Sequence, residues 1–181
     1  MHKLIFILLL TFSFCAKADT TQTEKIEDTK LINHNIGKLH FVLKNLEDRP
    51  YSFDTNRAQV LISSDNSQLI QTIPLEVSFS QPRFEFIDLN DDGYTDLLVY
   101  SSSAAGSIEL ANVFLYIPKL KKFVESQTLS NRGLIVKSKN HACVEVDFDQ
   151  NVYGVSVEEW CFKIETGRWK MIKSERITVG P

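Results

Sequence analysis

The sequence predicts an all-β, antiparallel single domain, arranged as a propeller-like fold, a sandwich or a barrel. Three observations lead there. From Gly37 onward the chain breaks into short extended runs separated by turn residues. Ala142, Val144, Val146 and Phe148 alternate with His141, Cys143, Glu145, Asp147 and Asp149, the period of a half-buried strand. No long helical periodicity follows Ile36, and no internal repeat is found.

Met1–Ala18 has the form of a secretory signal peptide. His2 and Lys3 precede an apolar run from Leu4 to Cys15, and Ala16-Lys17-Ala18 supplies an A-x-A cleavage site. The run is too short to span a bilayer, and Phe14 before Cys15 argues against lipidation. Cleavage there predicts a periplasmic or secreted chain starting at Asp19. Losing Lys3 and Lys17 leaves 18 basic against 23 acidic residues, a net charge of −5. That balance speaks against nucleic acid or an anionic membrane as partner and suits a basic protein partner.

Residues 19–36 are polar and weakly periodic, and read as a flexible lead in which a short helix over Glu24–Leu31 would have little to bury. Residues 37–181 form the β domain. Leu39, Phe41 and Leu43 share one face of the first run, with Lys38 and His40 on the other. Ala58–Ile62 is a compact apolar run closed by the Ser63–Ser67 turn, and Leu69–Phe79 is extended but interrupted by Pro74. Phe84–Ile87 and Leu97–Tyr100 read as strands, whereas the small residues of Ser101–Ser107 read as a loop. Asn112–Ile117 and Lys122–Val124 flank a turn at Pro118–Lys121 and predict a hairpin. Gly133–Val136, Val155–Ile164 and Gly167–Ile172 complete the strands, with Trp160 and Trp169 as core or half-buried sheet residues.

Between two of these strands runs Asp88-Leu89-Asn90-Asp91-Asp92-Gly93-Tyr94-Thr95-Asp96, or D-x-N-x-D-G-x-x-D. Calcium wants oxygen ligands from a sharply turning loop, with side chains at positions 1, 3, 5 and 9, a carbonyl at 7 and glycine at 6. Counting from Asp88 assigns Asp88, Asn90, Asp92, the Tyr94 carbonyl and Asp96 as ligands of Ca²⁺. Val99 stands where a helix-loop-helix hand would place its glutamate, so the loop is strand-flanked. From Phe84 to Pro118 there is no Lys, Arg or His to offset Glu85, Asp88, Asp91, Asp92, Asp96 and Glu109. A turn explains the residue types; only a cation explains their spacing.

Export removes Cys15 and leaves Cys143 and Cys161, which suggests one disulfide. They lie at equal distance from Val152, so a hairpin centred there sets them opposite each other. The same register opposes Glu145 and Glu159, a repulsion that a bulge or longer loop would relieve.

Phe84–Leu97 resembles the calcium loops of FG-GAP-like and propeller-like extracellular proteins. With Gly106 and Leu115–Val124, it is similar to small exported bacterial proteins carrying one such loop on a propeller-like β fold. Some of these are implied to be periplasmic immunity proteins that block peptidoglycan-cleaving, lysozyme-like toxins.

The sequence reads as a non-enzyme: it holds no G-x-S-x-G, no H-E-x-x-H and no free reactive cysteine, and His34, His40 and His141 are isolated. The calcium would be structural, fixing the hairpin and the small-residue loop after it. Ser102, Ser103, Ala104 and Gly106 are then the partner-binding residues, because a rigid loop of small side chains enters a narrow cleft at low ordering cost. The leading function is an exported calcium-stabilised protein-binding domain, an inhibitor or immunity protein against a cell-wall hydrolase. A generic calcium-dependent adhesion or interaction module and an unrecognised hydrolase are the alternatives.

Overall fold

The computed structural model describes residues 25–104, 108–151 and 154–178. The signal peptide expected over Met1–Ala18 and the partner-loop residue Gly106 lie outside them. Twelve strands run in chain order: β1 (Lys25–Asn33), β2 (Gly37–Asn45), β3 (Asn56–Ser64), β4 (Leu69–Val77), β5 (Arg83–Ile87), β6 (Asp96–Ala104), β7 (Ile108–Ile117), β8 (Lys122–Glu125), β9 (Leu134–Lys137), β10 (Cys143–Asn151), β11 (Gly154–Lys163) and β12 (Arg168–Thr178). They form three four-stranded antiparallel meanders, ordered β1-β2-β3-β4, β5-β6-β7-β8 and β12-β11-β10-β9. A four-stranded meander is the unit of a propeller blade.

The second sheet is the middle layer. Leu97, Val99, Phe114 and Tyr116 turn from it into a first core with Leu39, Phe41, Leu43, Val60 and Ile62. Leu98, Tyr100, Val113 and Leu115, on its other face, join Val144, Val146 and Ile135 in a second core, against which Trp160 and Trp169 pack. The unbroken apolar run Leu97–Tyr100 follows from this: a strand covered on both faces needs no alternation. Pro74 stays inside β4 opposite Gln59, tolerated because β4 is an edge strand.

Two expectations are corrected. The lead is not flexible through Ile36: Lys25–Asn33 is a strand that pairs with β2 from Lys25↔Lys44 to Leu31↔Lys38. The positions that share the face of Ile26 and Ile32 are Asp28, which is exposed, and Lys30, so only two of four are apolar and no period shows; the Lys30 ammonium lies 5.9 Å from the Phe86 ring centre. Likewise Ser101–Ala104 is not loop but the end of β6, pairing Ser102↔Leu110, Ser103↔Glu109 and Ala104↔Ile108 after an irregularity at Tyr100. Backbone pairing supplies there what small side chains do not.

The Cys143–Cys161 disulfide is present, with Cα atoms 4.0 Å apart, in the register centred on Val152. No bulge separates it from the opposed Glu145 and Glu159. Instead Glu159 Oε1 accepts hydrogen bonds from Ser138 Oγ (2.9 Å) and Asn140 Nδ2 (2.5 Å), and Lys173 is its neighbour on β12.

Candidate metal centre

The loop Asp88–Asp96 joins β5 to β6 and folds on its own side chains. Asp88 Oδ1 and Oδ2 accept from the amides of Asp92 (3.2 Å) and Gly93 (2.9 Å). Asn90 Oδ1 accepts from Asp92 N (3.3 Å), and Asp92 Oδ1 from Tyr94 N (2.9 Å). Such side-chain-to-amide bonds are why Asp and Asn build tight loops. Gly93 takes φ +81°, a conformation that costs glycine little and other residues more.

Both neighbouring sheets hold the loop. From the first, Asn33 Nδ2 donates to the Gly93 carbonyl (2.7 Å), while Thr95 N donates to Ile32 O (2.9 Å). From the third, Lys137 Nζ donates to the Asp88 and Leu89 carbonyls (2.9 and 2.8 Å) and to Asp91 Oδ1 (2.6 Å). His141 Nδ1 lies 3.4 Å from Asp91 Oδ2. The loop therefore sits where the three sheets meet. It is not free of positive charge, as its own segment suggested: Lys137 arrives from β9, and a contact across 46 residues leaves no local trace in the sequence.

Asp96 opens β6 and is buried. Its Oδ2 accepts from Leu89 N (3.0 Å) and its Oδ1 from Tyr116 N on β7 (2.9 Å). Burial pushes its carboxyl up to about 7; the Tyr116 and Leu89 amides oppose this, and Asp92 and Asp88 add to it. The Tyr94 ring stacks on Tyr116, centres 5.5 Å apart, and packs on the first core.

Asp88, Asn90 and Asp92 come together on one turn of chain, an all-oxygen donor set suited to a hard cation. Asp96 stands behind them with both oxygens turned to backbone amides. Among the described residues, one group of three His, Cys, Asp or Glu side chains has its ligand atoms within 4.8 Å of one another: Cys143, Glu159 and Cys161. Its two sulfurs are bonded to each other, so it offers no thiolate. The three expected ligand aspartates, Asp88, Asp92 and Asp96, are not gathered that closely, and a cation would draw Asp88 and Asp92 inward while Asp96 supplies buried negative charge.

A raised acid has a definite pH signature. Folding binds the Asp96 proton more tightly, so the stability it permits is fully present below about pH 4 and is lost as pH rises towards about 7. A cation bound by the loop would compete with that proton. Added calcium is expected to raise the melting temperature more at pH 7.5 than at pH 5, and Asp96→Asn should flatten the difference. Equal calcium shifts at both pH values in the wild type would contradict this.

The expected partner residues Ser102, Ser103 and Ala104 end β6, and of these Ser102 lines a polar recess of about 360 Å³ between the first two sheets. Its lining includes Glu76, Ser78, Ser101, Ser102, Asn112 and Asn131. Ser101 Oγ donates to Asn112 Oδ1 (2.6 Å), and Ser102 Oγ lies 3.4 Å from Asn131 Oδ1. The histidines stay apart: His40 bridges Thr29 and Asp65 on the outer face of the first sheet, and His141 turns to Asp91 rather than to Asp147. Among the described residues no helix is long and apolar enough to cross a membrane. No protein-family model, curated protein or solved structure matches the chain.

Proposed function

We propose that the protein is an exported, calcium-stabilised protein-binding domain that inhibits a peptidoglycan-cleaving, lysozyme-like enzyme. The observation that carries the calcium half is the D-x-N-x-D-G-x-x-D loop, anchored by Asn33 on one sheet and Lys137 on another. An ion that fixes such a junction fixes the relation of all three sheets, and binding only the folded state stabilises it by mass action. The β6–β7 hairpin grows directly from the loop, through Asp96, so the loop fixes the base of that hairpin. Support for the inhibitory half is the resemblance of Phe84–Val124 to small exported bacterial proteins, some of which are implied to be immunity proteins against wall-cleaving toxins, together with the acidic balance of the chain, which favours a basic partner.

Titration calorimetry should show about one calcium per chain, lost in Asp92→Ala. A lysis assay against a panel of wall hydrolases should show inhibition that weakens with salt. Ala104→Trp/Gly106→Trp should abolish it while leaving calcium binding and melting temperature unchanged. Inhibition that survives the bulky hairpin would reject this surface, and no inhibition of any wall hydrolase would leave the calcium-dependent interaction module as the reading.

A further inference from the structure

Asp91 is the loop residue that the ligand spacing does not use. It stands between Asn90 and Asp92 with φ +54°. Its carboxylate reaches the third sheet: Oδ1 meets Lys137 Nζ (2.6 Å), and Oδ2 accepts the Ala142 amide (2.5 Å). Ala142 ends the turn Ser138–Ala142, which leads straight into Cys143. That turn closes through Ser138 N donating to Cys143 O (3.1 Å) and Cys143 N to Asn140 O (3.3 Å).

The same turn touches the disulfide: the His141 carbonyl lies 3.2 Å from Cys143 Sγ. Cys143 and Cys161 are only 4% and 7% exposed, so a reductant cannot reach the sulfurs without local opening. Ser138 and Asn140 also hold the Glu159 carboxylate, an oxygen of which lies within 4.8 Å of the two sulfurs. With the turn closed, a negative charge guards the bond against an attacking thiolate.

We propose that Asp91 links cation binding in the loop to closure of the Ser138–Ala142 turn, so that a loaded loop shields the Cys143–Cys161 disulfide from thiol reductants. The proposal rests on the calcium reading of the loop. Ligands on either side of Asp91, once drawn onto a cation, fix its backbone and aim its carboxylate outward at Ala142. Linkage makes the effect reciprocal: opening the turn weakens calcium binding by the factor by which calcium favours the closed turn.

The test reduces the oxidised protein with dithiothreitol, in calcium and in a chelator. A dithiothreitol thiolate attacks one sulfur, forming a mixed disulfide; its second thiol then closes a ring and releases the protein as two thiols. Two electrons and two protons pass to the protein. Alkylation and mass spectrometry count the thiols with time, while calorimetry reads calcium binding separately. Calcium should slow reduction of the wild type by roughly tenfold, within the usual range of site-to-site coupling. Asp91→Ala should still bind calcium but be reduced at one rate in calcium and chelator. Lys137→Met, which leaves the Ala142 bond in place, should retain part of the protection. A wild type that binds calcium without slower reduction, or an Asp91→Ala protein protected as well as the wild type, overturns the linkage. Absence of calcium binding by the wild type overturns the calcium reading itself and the linkage with it.

Discussion

Phe41→Ala is expected to lower the unfolding free energy by about 4 kcal/mol, near the upper range for deleting a buried ring. Phe41 has no exposed surface, and its ring meets Phe86, Phe123 and Phe84 at centre distances of 4.8, 5.6 and 6.2 Å. Phe41 lies on the first sheet and its three partners on the second, so the cavity would open between layers. Neither layer can close it without shifting a hydrogen-bonded strand. Urea unfolding should show a large fall in midpoint with little change in slope. Phe41→Leu keeps most of the volume and should cost about 1.5 kcal/mol. Equal losses for the two variants would mean that aromatic edge contacts, rather than filled volume, hold the layers together.

What the sequence disclosed follows from where each signal is stored. The Cys143–Cys161 pairing was legible because an even cysteine count and a symmetric hairpin are both local facts, and β10 and β11 pair in that register. The loop spacing was legible for the same reason: every expected ligand lies within nine residues. β1 was not, because Asp28 and Lys30 stand between Ile26 and Ile32 on the same face and erase the alternation. Ser101–Ala104 was misread as loop because side-chain size says nothing about backbone pairing, and that is what places these residues in β6. The loop's anchors were out of reach altogether. Asn33 lies 60 residues from Gly93, and Lys137 49 from Asp88. Composition near the loop showed only its uncompensated acids; the compensating charge belongs to another sheet.

The second large effect is expected at Arg132. Glu158 is buried on β11, facing the second sheet's side of the third, and its carboxylate takes Arg132 Nε (2.6 Å) and Nη2 (3.1 Å) together with Trp160 Nε1 (2.8 Å). The guanidinium also lies 4.6 Å from the centre of the Trp160 ring. Its neighbour Gly133 passes so close to β10 that an added Cβ would stand 2.3 Å from the Asp147 carbonyl, so the backbone that delivers Arg132 cannot back away. Arg132→Ala removes one partner of a buried pair and leaves the carboxylate with a single neutral donor. Leaving a buried charge uncompensated costs about 3 kcal/mol, the lower end of the usual range because Arg132 itself is partly open to solvent. Arg132 holds the Glu158 carboxyl below its usual range, against the opposing effect of burial. The pair's stabilisation is therefore present above the unfolded value, about pH 4.3, and is lost as pH falls through the lower folded value. Thermal unfolding between pH 3 and pH 7 checks both points. Arg132→Ala should be much less stable at pH 7 and should lose less on acidification than the wild type. Adding Glu158→Gln to Arg132→Ala should recover part of the stability by removing the stranded charge. A double variant as unstable as Arg132→Ala alone would show that the lost contribution was the guanidinium's packing on Trp160 and not its charge.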